Sequence, residues 1–222
     1  MNGKNRKQTN SDFTNRSFMC EVRAEETDSG HIITGRPVVY EKLTDLGCFN
    51  EIIERGALKN TDLTDVRFLV NHDTSKIPLA RSRRNTENST MKLTVDDEGL
   101  AIRVSLDTEN NAEAKSLYSA VRRGDITGMS FMFVISDEEW EDLETDHPTR
   151  RIKEIDTIIE VSAVTFPAYA DTEINARDKG ALDNARSALE NARTSRQASV
   201  DTDENLELLK LKTKTQIILG GL

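Results

Sequence analysis

Cysteine is almost missing from this 222-residue chain, with Cys20 and Cys48 the only two. Two thiols supply neither a disulfide framework nor paired metal ligands, so the expectation is a reducing, intracellular setting with both thiols buried. Histidine is as scarce: His31, His72 and His147 are too far apart for an H-x-x-x-H or H-x-D metal site, and no G-x-x-x-x-G-K-[ST] phosphate loop occurs. No metal and no cofactor is expected. Long apolar runs are absent too, since nothing approaches the ~20 residues of a membrane span. Met1 to Thr14 is polar and has no h-region. No membrane partner follows from this sequence. An excess of positive charge is also lacking: 30 Lys+Arg stand against 39 Asp+Glu, a net of −9. Direct nucleic-acid binding, which rewards phosphate neutralisation, is therefore not expected.

Hydrophobic residues make up only 36% of the chain, low for a domain of this length, and the shortfall lies at the ends. Residues 1–17 are mainly Asn, Lys, Ser and Thr, which cannot bury enough surface to offset their ordering entropy, and they are expected to form a flexible arm. Residues 177–222 are rich in Ala and Ser without aromatics and carry eight basic against seven acidic residues, so the rest of the chain holds −10. A loose helix followed by a disordered or partner-binding tail is expected there. Between them, residues 18–176 form the body. M-K-L-T-V and L-A-I-R-V-S-L, around Asp96 to Gly99, alternate apolar and polar residues and predict an antiparallel hairpin. Ala114, Leu117, Tyr118 and Val121 fall at helical spacing, with Asn110 as the expected N-cap and Gly124 as the stop. Two apolar runs, D-I-T-G-M-S-F-M-F-V-I and R-I-K-E-I-D-T-I-I-E-V-S-A-V, read as strands paired across an acidic, turn-rich insertion, residues 137–149.

Few residues here can do chemistry. His31 and His147 have the contexts of exposed loop histidines, whereas His72 closes the apolar run V-R-F-L-V, where a strand end can present a side chain to a pocket. A structural or capping role for His72 stays open from context alone. Ser130 stands between Gly128 and the apolar F-M-F-V-I. A serine nucleophile needs an imidazole to take its proton, an acceptor that fixes the imidazole tautomer, and N–H donors for the oxyanion. Glu160 is flanked by Ile159 and Val161: pointing inward it requires a partner, pointing outward it is merely solvated, and the spacing does not decide. A small-ester hydrolase is disfavoured because Gly128-Met129-Ser130-Phe131-Met132 lacks the second glycine of a G-x-S-x-G elbow.

Asn71-His72-Asp73 followed by P-L-A-R, the D-x-x-G-L of the hairpin, E-x-I-x-x-G-A-L over Glu51 to Leu58, R-R-G-D-I-T-G-M-S-F and E-V-S-A-V-T-F-P-A-Y-A-D-T occur in one order. In this the chain resembles the prohead proteases of tailed bacteriophages, capsid-maturation serine proteases related to the herpesvirus assemblins. The resemblance runs from about Arg16 to Arg177. It implies a mostly β fold with helices, an antiparallel β-barrel with surrounding helices. It implies His72 as catalytic base, Ser130 as nucleophile and Glu160 as third member, where assemblins use a second histidine. It implies as partners the major capsid protein with its scaffolding segment or a separate scaffold protein, and further copies of the chain. Action would take place inside the assembling procapsid in the host cytoplasm. One departure is plain: Met132 stands where the family commonly has glycine. A non-enzymatic assembly module with this fold is the alternative expectation.

Overall fold

The computed structural model describes residues 14–19, 22–27, 30–165 and 186–198, with isolated positions at 183, 207 and 210. Cys20 lies outside the described residues, and Cys48 is half-buried. The strands make two sheets. The larger is mixed and runs β1 (Thr14–Met19), β10 (Gly128–Glu141), β11 (Thr149–Val164), β5 (Asn50–Ile53), β4 (Thr44–Asp45), with β6 (Asp65–Val70) also on β11 and β7 (Ala80–Arg83) on β6. The smaller is antiparallel, in the order β2 (Arg23–Thr27), β3 (Gly30–Val39), β9 (Gly99–Leu106), β8 (Met91–Asp96). Their inner faces and α1 (Ala112–Arg123) share one core, in which Ile33, Leu100, Ile102 and Val104 meet Phe68, Phe131, Phe133, Ile155 and Val161.

The mostly β, α+β character that the resemblance implies is present, with helices at α1 and at residues 186–198. The expected antiparallel barrel is not: among the described residues no closed barrel forms, and β11 pairs in parallel with both β5 and β6. The seam between β7 and β8 shows why the sheets stay separate. There side chains replace a backbone ladder: the Arg81 amide donates to Thr90 Oγ1 (2.9 Å), while Asn85 Nδ2 donates to the Leu93 carbonyl (2.8 Å) and Asn85 Oδ1 accepts from the Leu93 amide (2.9 Å). Backbone groups satisfied in this way do not extend a sheet.

The hairpin forms as its alternation predicts, although Val95 at its tip is exposed. In α1 all four spaced apolar residues are buried, but the N-cap is Asn111, not Asn110: Asn111 Oδ1 accepts from the amides of Glu113 (2.9 Å) and Ala114 (3.2 Å). Gly124 ends the helix at φ 78°, in the left-handed region where glycine is favoured. The acidic insertion is strand at its two ends, where β10 runs to Glu141 and β11 starts at Thr149, and turn over 142–148 between them. Strand β1 begins inside the arm expected to be flexible. The ribbon tip holds a second small core of Leu46, Phe49 and Leu143, on which Leu189 of the 186–198 helix packs. His31 is not a free loop residue: its Nδ1 lies 2.5 Å from Thr108 Oγ1 and its ring 4.3 Å from that of Tyr118. His147 is partly exposed, with Nε2 3.2 Å from Asn50 Oδ1 and 3.2 Å from Asp45 Oδ1.

Candidate active site

Alternation along the large sheet sorts its residues onto two faces. Val66, Phe68, Phe131, Val161 and Ala163 point into the core. Arg67, Leu69, Ser130, Glu160 and Ser162 therefore carry the opposite face. Register aligns them in rows: Ser130 on β10 sits opposite Ser162 on β11, which sits beside Leu69 on β6, while Met132 opposes Glu160 and Glu160 lies beside Arg67. Next to this row β11 bulges, because Phe133 pairs with Ile158 and leaves Ile159 unmatched.

Strand β6 ends at Val70, and the chain turns through two consecutive residues with positive φ, Asn71 at 52° and His72 at 58°. Asparagine tolerates this region; for histidine it costs about 1–2 kcal/mol, held in place by surrounding bonds. Those bonds come from β11 and from Thr165, the residue after it. The Asn71 amide donates to the Ala163 carbonyl (3.0 Å), Asn71 Oδ1 accepts from the Thr165 amide (2.9 Å), and Asn71 Nδ2 donates to Thr165 Oγ1 (3.0 Å). The His72 amide donates to Ser162 Oγ (3.1 Å).

So held, the His72 ring places Nδ1 2.5 Å from Glu160 Oε1. The second carboxylate oxygen, Oε2, accepts from the Ser162 hydroxyl at 2.5 Å. Glu160 is 1% exposed. Although it lies on the face away from the core, it is buried and meets two donors, as a buried carboxylate must. An ionised carboxylate only accepts, so it draws the imidazole proton to Nδ1 and leaves the lone pair on Nε2. His72 Nε2 is buried and has no hydrogen-bond partner among the described residues. A buried nitrogen left so costs about 1–3 kcal/mol, and an imidazole with an unengaged basic nitrogen is ready to take a proton.

His72 and Glu160, 88 positions apart, are thus brought into contact. Ser130 is brought to the neighbouring strand at the register of Ser162 and is fully buried, but its hydroxyl is not bonded to His72 Nε2. Met132 is half-buried opposite Glu160. Ser162 was missed by the sequence reading, although E-V-S places it two residues from Glu160 and hence on the same face. On the same side Asp65 accepts from Arg81 Nε (2.5 Å) and Nη2 (2.7 Å) and from Arg67 Nη2 (3.2 Å). The Arg81 hydrogen bond holds the Asp65 carboxyl below the usual carboxylate range. Among the described residues no group of three or more His, Cys, Asp or Glu side chains is placed to hold a metal ion, and no helix is long and apolar enough to cross a membrane.

The family model described as caudovirus prohead serine protease matches residues 18–186. The prohead protease of Enterobacteria phage HK97 is 32% identical over 130 residues, which is 57% of this chain and 52% of that protein. The chain thus spans about half the length of this relative. The structure of the bacteriophage T4 capsid assembly protease matches 70% of this chain and 98% of its own, at 12% identity and a TM-score of 0.43, too low to bear on the fold.

Proposed function

Because the chain belongs to the caudovirus prohead serine protease family, we propose that it is a serine endopeptidase of phage capsid maturation, with Ser130 as nucleophile, His72 as general base and Glu160 as the group that orients the base. The observation that carries this reading is the 2.5 Å contact between His72 Nδ1 and Glu160, which leaves a buried, unengaged Nε2 one strand away from Ser130. In the reaction Ser130 Oγ attacks the scissile carbonyl carbon while His72 Nε2 takes the hydroxyl proton. The C–N bond then breaks as the imidazolium returns that proton to the leaving amine. Water repeats the sequence on the acyl-enzyme and frees Ser130. Glu160 stabilises the imidazolium in both halves. Ser130 Oγ must come within hydrogen-bond reach of Nε2, so a small rearrangement of β10 or of the 71–73 turn precedes the chemistry.

The substrates in this reading are the scaffolding segment of the major capsid protein or a separate scaffold protein, and the chain's own ends, 1–17 and 177–222, inside the procapsid in the host cytoplasm. The body comprises residues 18–176, and self-association belongs to the same proposal. Kinship with the herpesvirus assemblins rests on the sequence resemblance, with Glu160 standing where they use a second histidine. Co-expression with the capsid protein, followed by intact-mass analysis of both chains, tests the reading. Wild type is expected to trim the capsid protein and itself, and Ser130→Ala to leave both at full length. Equal trimming by the two would remove Ser130 from the mechanism. The non-enzymatic reading draws on Met132 and on the unmade Ser130–His72 bond. It predicts that a fluorophosphonate never modifies Ser130, which mass spectrometry of the labelled peptide reads directly.

A further inference from the structure

The strand that carries Ser130 has two edges. One is covered by β11 from Gly128 to Glu141. Among the described residues the other is covered from Gly128 to Phe133, by β1 in antiparallel register: Met19 lies opposite Gly128, Ser17 opposite Ser130 and Thr14 opposite Phe133. The six residues of β1 thus occupy the stretch of sheet edge centred on the proposed nucleophile. Ser130 is at the same time fully inaccessible, and His72 Nε2 is buried. A peptide to be cut must present its backbone to Ser130 in extended form. An exposed strand edge is the general means by which a sheet takes up such a peptide, with main-chain hydrogen bonds giving affinity whatever the side chains.

We propose that the outer edge of β10 at residues 128–133 is where an extended substrate peptide adds as a strand, and that β1 is its resident competitor, a segment of the same chain that must leave before substrate can enter. The proposal rests on the serine-peptidase reading and adds to it where substrate binds and what keeps the site shut. The composition of β1 suits a removable occupant. Thr-Asn-Arg-Ser-Phe-Met is six residues long and mostly polar, and among the described residues it is an end strand of its sheet, so no described strand pairs with its outer side to oppose release. Departure of β1 also removes one of the two strands that hold β10, whose shift is one of the two movements that would bring Ser130 to Nε2.

The test uses the full-length chain. In an antiparallel pair, successive residues point their amides alternately toward and away from the partner. The double variant Arg16→Pro/Ser17→Pro therefore removes one inward N–H whichever residue supplies it. Fluorophosphonate labelling of Ser130 is expected to be about tenfold faster, the effect of about 1.4 kcal/mol lost from the β1–β10 pairing. Amides of residues 128–133 should exchange faster while those of the β8–β9 hairpin keep wild-type rates. The opposite change, Asn15→Val/Ser17→Val, raises strand preference and should slow labelling, so the answer does not depend on the proline variant remaining folded. A synthetic peptide of residues 14–19 should slow labelling of the proline variant. If wild-type Ser130 labels and neither variant alters its rate, β1 is no competitor and the proposal falls alone. If Ser130 labels in no chain and co-produced capsid protein stays intact, the serine-peptidase reading falls and takes the proposal with it.

Discussion

One hydroxyl at Ser162 holds two parts of the site together, donating to Glu160 Oε2 and accepting from the His72 amide. Its removal in Ser162→Ala leaves a buried carboxylate oxygen short of a donor and loosens a turn that already sits in an unfavourable backbone region. The expected result is a fall in kcat of about tenfold to a hundredfold with KM nearly unchanged, since hydrogen bonds to charged groups are worth about 1.5–3 kcal/mol. Ser162→Thr, which keeps the hydroxyl, should recover most of it. Glu160→Gln is expected to be more damaging, by about 10² to 10⁴ in kcat, because an amide can present N–H to Nδ1 and stabilise the wrong tautomer. Steady-state kinetics on a peptide substrate checks both. At this scale the sequence carried the parts and not their arrangement. Glu160 and Ser162 share a face by spacing alone, but E-V-S-A-V does not tell which face is core, because Val161 and Ala163 are as compatible with a solvated Glu160 as with a buried one. The proximity of His72 to Glu160 came only from family resemblance, since a contact across 88 residues leaves no local trace.

Among the elements, the β8–β9 hairpin shows how much local chemistry can be read. Gly99 closes it at φ 140°, and a Cβ built there would lie 2.0 Å from the Val38 carbonyl oxygen. Gly99→Ala therefore clashes with backbone that cannot swing away, and a loss of about 2–4 kcal/mol is expected in denaturant unfolding. Asp96, in the same turn, accepts from both guanidinium nitrogens of Arg36 (2.6 and 2.8 Å) and is held down to about 2, with the Arg36 hydrogen bond as the main cause. A carboxyl lowered on folding stabilises above its unfolded value and loses that contribution as pH falls from about 4 toward 2. Unfolding midpoints of wild type and Arg36→Met should thus differ at pH 7 and converge by pH 2, modestly, because the pair is partly exposed. The β10–β11 ribbon was harder to read. One face of its distal half is solvated and held by cross-strand ion pairs, Arg151 with Glu141 at 2.7 Å and Lys153 with Glu139, while Arg150 and Ile152 on the other are buried. A strand stabilised in this way has the composition of a loop.

Over the whole molecule, long-range pairing settles what local patterns leave undecided. The sixteen-residue β11 is shared, with β5 beside its first residues and β6 beside its last, both in parallel. Parallel partners separated by long connections produce no alternation or turn signal that would announce them. The helix at 186–198 belongs to this scale too. It is clasped to the ribbon tip by Leu189, by Arg193 donating to the carbonyls of Leu143 (3.2 Å) and Thr145 (2.7 Å), and by the Arg196–Glu144 ion pair. The buried leucine and the two Arg193 hydrogen bonds, taken by themselves, amount to about 4 kcal/mol, a dissociation constant of about 1 mM. Such a contact persists only because the chain connecting it keeps the helix at an effective concentration of that order. A single cut between residues 165 and 186 would turn a millimolar intramolecular neighbour into a micromolar stranger. The helix would then leave, and Phe49 and Leu143 would meet solvent for the first time. Size-exclusion chromatography of a chain nicked there by a site-specific protease should separate the two pieces, so that for this helix severing the chain is already release.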